Sequence, residues 1–180
     1  MYTLKNNSII LSEPTKAFAI DLARALEFDF VITSGTRTPA QQVAVMFEKL
    51  RLGDDLSKIY ADKNFAREIT AAYPDTAKAL EIVERYAKTN KASAHLRGLA
   101  LDIRITDLTP AQQSTVIDTA KSMGAYTLYE TTPPHIHITI PDNYSAGGIN
   151  VSVAAPSAKK NYKFLWYAFM AYRLYKMVKK

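Results

Sequence analysis

An α+β domain built around a small, mostly antiparallel sheet is the fold class that this 180-residue sequence predicts. Three observations carry that expectation. Several stretches space their apolar residues as helices do and open on capping residues. Short runs alternate apolar and polar residues, as half-buried strands do. Helices and short strands follow one another with tight connections, in an order that suggests an α+β domain with a small, mostly antiparallel sheet.

Ser12-Glu13-Pro14-Thr15 opens a helical pattern that runs to about Glu27, with Ala17, Ile20, Leu22, Ala23 and Leu26 favouring one side. Phe28 to Ile32 is a short strand, and Ser34-Gly35 ends it. Thr38 can cap the next helix: Pro39 suits its first position and Gln41 can complete a capping box. The same five residues, Thr-Pro-Ala-Gln-Gln, recur at 109–113, as a second cap rather than a structural repeat. Residues 53–62 read as a loop, followed by helices over 63–72 and 75–89 and a polar loop from Lys91 to Arg97. Leu99 to Ile105 alternates as a strand, 110–123 is a helix ending at Gly124, and strands at 125–130 and 135–140 complete the body. The expected domain spans 1–142, a Pro-, Gly- and Ser-bearing loop and linker spans 143–161, and a separate C-terminal basic aromatic helix spans 162–180.

The net charge of +6 does not mark a nucleic-acid-binding body, because the excess is local. Seven basic residues and no acidic one follow position 158, leaving 16 basic against 17 acidic residues before it. The chain has no cysteine, so disulfides are excluded and any metal must be held by His, Asp or Glu. The N-terminus lacks the basic flank and apolar run of a secretory signal, so synthesis as a soluble cytoplasmic protein is expected.

All three histidines fall in two short segments. In Ser93-Ala94-His95-Leu96-Arg97-Gly98-Leu99-Ala100-Leu101-Asp102, strand alternation turns Asp102 away from the apolar face of its own strand. Gly98 lets the preceding loop fold back and bring His95 towards Asp102, and Ala100 is small enough to leave space for an ion. In His135-Ile136-His137-Ile138, the isoleucines share the core face and both histidines share the other, ~6.6 Å apart along the strand. One imidazole can bind a metal while the other handles protons. These residue types suit either a closed structural site of four ligands or a catalytic site of three with one open position.

The pattern Ser-x-His-x-x-Gly-x-Ala-x-Asp at 93–102, then His-x-His at 135–137, resembles the zinc D-alanyl-D-alanine peptidase family. That family includes D,D-carboxypeptidases and L-alanyl-D-glutamate endopeptidases and shares its fold with the hedgehog signalling domain. Ser34-Gly35-Thr36-Arg37 followed by Gln41 is similar to the family's Ser-Gly-x-Arg segment, so three motifs in order cover about 30–140. The resemblance implies a hedgehog/DD-peptidase-like fold, Zn2+ held by His95, Asp102 and His137, and catalytic roles for His135 and Arg37. Ser93 and Gln41 are implied to position the substrate. Many members carry an acid three residues before the last histidine; here that position is Pro134, and the nearest upstream acid, Glu130, matches no pattern. The chain is therefore more similar to the His-x-His subgroup. The implied substrate is the stem peptide of bacterial peptidoglycan, cut by a phage-type lytic enzyme that acts on the cell wall. The alternative is a non-catalytic, zinc-stabilised binding or virion structural protein of the same fold.

The tail carries seven aromatic residues among its basic ones. As a helix, 164–178 would be ~22 Å long, too short to span a bilayer but suited to lying in a membrane interface. Docking on the peptidase domain or on another subunit, such as a virion partner, fits the same composition. Aromatic and basic interleaving also suits single-stranded nucleic acid, but no nucleic-acid partner is expected.

Overall fold

The computed structural model describes residues 1–89, 92–131 and 133–145. The chain divides into units Met1–Asn150 and Val151–Lys180, and every described residue belongs to the first. The C-terminal helix expected at 162–180 and most of the expected linker lie outside the described residues.

Five strands form one sheet: β1 (Tyr2–Leu4), β2 (Phe30–Ser34), β3 (Ala100–Arg104), β4 (Tyr126–Thr131) and β5 (Pro134–Thr139), in the order β1-β2-β3-β5-β4. Every pairing is antiparallel except β1 with β2. The described residues also form six helices: α1 (Glu13–Ala25), α2 (Pro39–Arg51), α3 (Leu56–Ile59), α4 (Lys63–Ala72), α5 (Thr76–Ala87) and α6 (Pro110–Ser122). The α+β class holds.

Strand β1 is absent from the sequence reading, several ends differ from it by one or two residues, and three differences bear on the core. Strand β2 begins two residues later than expected, because Phe28 packs against the core from the end of the α1–β2 connection. The loop expected at 53–62 contains the single-turn helix α3, capped by Asp55 and anchored by the fully buried Leu56. The body also extends past residue 142. Tyr144 packs edge-on against Phe18, with ring centroids 5.1 Å apart, and donates a hydrogen bond to Asp21 at 2.8 Å.

Both Thr-Pro-Ala-Gln-Gln segments fold as full capping boxes, with Thr38 and Gln41 opening α2 and Thr109 and Gln112 opening α6. Each box satisfies two backbone N–H groups that a helix start leaves without partners.

Two apolar clusters make the body. The first packs α1 and α6 on one face of the sheet through Phe18, Leu22, Val116, Ile103, Ile136 and Ile138. The second joins α2, α3, α4 and α5 through Met46, Leu56, Phe65, Ile69 and Val83. Because β5 alternates, its isoleucines enter the first cluster and its histidines face the opposite side of the sheet, where α2 stands. Truncating the fully buried Ile138 to Ala is expected to cost about 2–5 kcal/mol in urea unfolding, through lost transfer energy and a residual cavity. Among the described residues, no helix is long and apolar enough to cross a membrane.

Candidate metal centre

A cleft of about 1280 Å³ separates the open face of the sheet from the α2–α4 side, and its lining includes all three histidines, Asp102 and Arg37. Strand pairing assembles part of this group directly. Asp102 on β3 lies opposite His137 on β5, and Arg104 lies opposite His135. His95 arrives from the loop before β3.

Two glycines make that loop possible. Gly98 adopts φ +70°, and a Cβ there would come within 2.9 Å of the Ser12 side chain. The Gly98 carbonyl accepts hydrogen bonds from the Ser12 hydroxyl and from Thr15 Oγ1, the latter at 2.6 Å and fully buried. The start of α1 thereby clamps the turn that carries His95. At Gly35 a Cβ would lie 2.4 Å from the Ile10 carbonyl oxygen, so only glycine fits. The Gly35 carbonyl in turn accepts from His95 Nδ1 at 2.6 Å. Gly98→Ala is expected to loosen this loop and weaken metal binding about 10–100-fold, as loss of a metal ligand's outer support does, read by competition with a chelating dye.

The ligand atoms converge closely. His95 Nε2 lies 3.2 Å from His137 Nδ1 and 3.3 Å from Asp102 Oδ1, while His137 Nδ1 lies 2.9 Å from the same oxygen. A carbonyl can only accept, so His95 Nδ1 carries the proton and Nε2 presents a lone pair. On His137, Nε2 lies 3.0 Å from Thr139 Oγ1, and the tautomer in which Nε2 donates to that hydroxyl is the one that frees the Nδ1 lone pair for ligation. In those tautomers three electron-pair donors would face one point, an arrangement that a cation can hold; with no cation between them, His137 Nδ1 can instead donate to Asp102 Oδ1 at 2.9 Å. Separations of 2.9–3.3 Å between these atoms are short enough for all three to reach one small cation. This buried His-Asp-His group could hold a metal ion.

The surroundings favour the protonation states that ligation requires. Burial pushes the His95 imidazole down, against the pull of the neighbouring Asp102 carboxylate, which favours the neutral ring. Burial alone would raise the Asp102 carboxyl, but its close contacts with the His137 and His95 imidazoles, and the field of the His95 and His135 rings, outweigh it. They hold that carboxyl well below the usual carboxylate range.

Arg37 donates from Nη2 to Asp102 Oδ2 at 2.9 Å, from Nε to Ser34 Oγ at 3.1 Å and from Nη1 to Gln42 Oε1 at 3.5 Å. These bonds use three of the five guanidinium N–H groups. His135 donates from Nδ1 to the Pro133 carbonyl at 2.7 Å, and its Nε2 lies 3.5 Å from Asp102 Oδ1. Ser93 lines the cleft, 3.4 Å from Gln42 Oε1.

Gln41 stands apart from these residues. Its side chain accepts from Thr38 N at 2.8 Å in the α2 cap and is exposed. The neighbouring Gln42 is the fully buried amide that joins Arg37 and Ser93, and it donates to the Tyr60 hydroxyl at 3.0 Å. Burial pushes the Tyr60 phenol up to about 12, so it keeps its proton. The one-residue difference follows from helix geometry: the capping box holds Gln41 at the rim, and the next side chain turns about 100° towards the sheet. Thr139 and Glu130 were also missed. Thr139 was legible in principle, two residues beyond His137 on the same strand face, whereas Glu130 joins the site only through the β4–β5 ladder.

No family model, curated protein or solved structure matches this chain.

Proposed function

We propose that this chain is a zinc peptidase of the D-alanyl-D-alanine peptidase type, with a hedgehog/DD-peptidase-like fold, that hydrolyses an amide bond in the peptidoglycan stem peptide. The observation that carries the reading is the convergence of His95 Nε2, His137 Nδ1 and Asp102 Oδ1 within 3.3 Å on the wall of a cleft that also holds Arg37 and His135. Three protein ligands with room for a fourth group are the donor set of a catalytic zinc rather than a structural one. The ordered motifs at 34–37, 93–102 and 135–137 supply the peptidase and peptidoglycan part of the reading.

A zinc held by His95, Asp102 and His137 would supply Lewis acidity, lowering the pKa of water towards ~7 and polarising a carbonyl. The chain's own groups do the rest. The Gly35 carbonyl holds His95 in its ligating tautomer, and the Thr139 hydroxyl can accept from His137 Nε2 in the tautomer that ligates. Arg37 fixes the Asp102 carboxylate through Oδ2 and keeps guanidinium N–H groups for the oxygen that becomes negative as the amide is attacked. His135, its Nδ1 tied to Pro133, has Nε2 available to take the proton of the attacking water and deliver it to the departing amine. The Gln42–Tyr60 pair forms a polar wall that can orient the peptide.

The test is digestion of purified peptidoglycan by the zinc-loaded chain, with products read by mass spectrometry. Stem-peptide fragments that disappear in His95→Ala and in His135→Ala are expected. Intact peptidoglycan beside folded, zinc-loaded protein would transfer the weight to a non-catalytic binding or virion role.

A further inference from the structure

An acidic residue that no linear motif reaches stands next to the proton-handling histidine. Glu130 on β4 is the direct cross-strand partner of His135 on β5. Its Oε2 lies 3.8 Å from His135 Nε2 and 3.0 Å from Lys49 Nζ on α2. The Glu130 and Lys49 side chains are only 20% and 14% exposed, unlike a solvated surface pair. The carboxylate is thus held from the helical side of the cleft while it faces an imidazole on the sheet side.

His135 needs that second contact. The bond from Nδ1 to the Pro133 carbonyl sets the tautomer, but one hydrogen bond leaves the ring free to swing about it. Asp102 Oδ1 lies 3.5 Å from Nε2 and Glu130 Oε2 lies 3.8 Å from it, so carboxylates on two different strands limit that swing. We propose that Glu130, anchored by Lys49, is the positioning residue of His135 and sets the direction in which Nε2 points into the cleft. The catalytic consequence rests on the peptidase reading; the positioning itself does not. Glu130 lies seven residues before His137, so only the register of the β4–β5 hairpin brings it to the site.

The chain has three histidines, so full-length zinc-loaded protein labelled with 15N-histidine gives a short imidazole spectrum that His135→Asn assigns. Glu130→Gln is expected to move the His135 nitrogen resonances and leave those of His95 and His137 in place. Lys49→Met, which keeps the aliphatic stem but removes the anchor, is expected to move the same pair. On peptidoglycan, Glu130→Gln is expected to lower kcat about 10–100-fold with KM within about twofold, and Glu130→Asp to recover part of the loss. Unmoved His135 resonances in Glu130→Gln would overturn the proposal. So would a shift of all three histidines with loss of zinc, which would make Glu130 a prop of the fold, or an unchanged kcat in an active enzyme. If wild type cleaves nothing while the His135 shift is seen, the peptidase reading fails and the positioning role stands.

Discussion

Metal-stripped protein given zinc at a thousand times its dissociation constant is expected to melt about 8–16 °C higher than without it. Binding to the folded state alone contributes about 4.1 kcal/mol at that excess. Each kcal/mol moves the midpoint of a domain this size by about 2–4 °C. Stripping the metal leaves His95 Nε2, His137 Nδ1 and Asp102 Oδ1 crowded within 3.3 Å in a site where Asp102 is almost wholly shielded from water. His95→Ala removes one ligand and strands the Gly35 carbonyl, so it is expected to lower zinc affinity more than about 100-fold and to abolish the thermal shift. Differential scanning calorimetry of both proteins, with and without zinc, reads the effect. An equal shift in His95→Ala would place the zinc elsewhere.

Arg37→Met is expected to separate catalysis from metal binding. In the proposed reaction its guanidinium meets an oxygen that gains charge only as the bond is broken, and loss of one such donor costs about 10²–10³ in kcat. Zinc should still bind, because Arg37 touches Asp102 through Oδ2 while Oδ1 faces the histidines. Stability should respond in a zinc-dependent way. Without zinc, the substitution leaves the Asp102 carboxylate without its cation and is expected to cost about 3 kcal/mol in urea unfolding. With zinc, a second cation faces the same carboxylate and the cost should shrink. Equal losses in the two states would mean that Arg37 acts through packing and not through charge.

Elements whose cause is local were legible in the sequence. The two capping boxes, the alternation of β5 and the turn at Gly98 each depend on a few neighbouring residues, and each folds as those residues dictate. The same alternation turns Asp102, His135 and His137 away from the apolar faces of their strands, and the register of β3 with β5 brings them together. What depends on distant partners was not legible. Strand β1 is three residues long and is held by parallel pairing to β2, so nothing within it marks a strand. Gln42 was passed over for Gln41 because two adjacent glutamines differ only in which way the helix turns them. Glu130 acquires its place from hairpin register, and the clamp of Thr15 on Gly98 links residues 83 positions apart.

Zinc K-edge absorption on the loaded full-length chain tests the central claim most directly, namely that His95, Asp102 and His137 hold one metal with a position left open. The expected spectrum shows one zinc per chain, bound by nitrogen and oxygen at about 2.0–2.1 Å, with the scattering of two imidazoles that falls to one in His137→Ala. A third imidazole that disappears in His135→Ala would contradict the claim, because His135 would then be a ligand and the site a closed structural one.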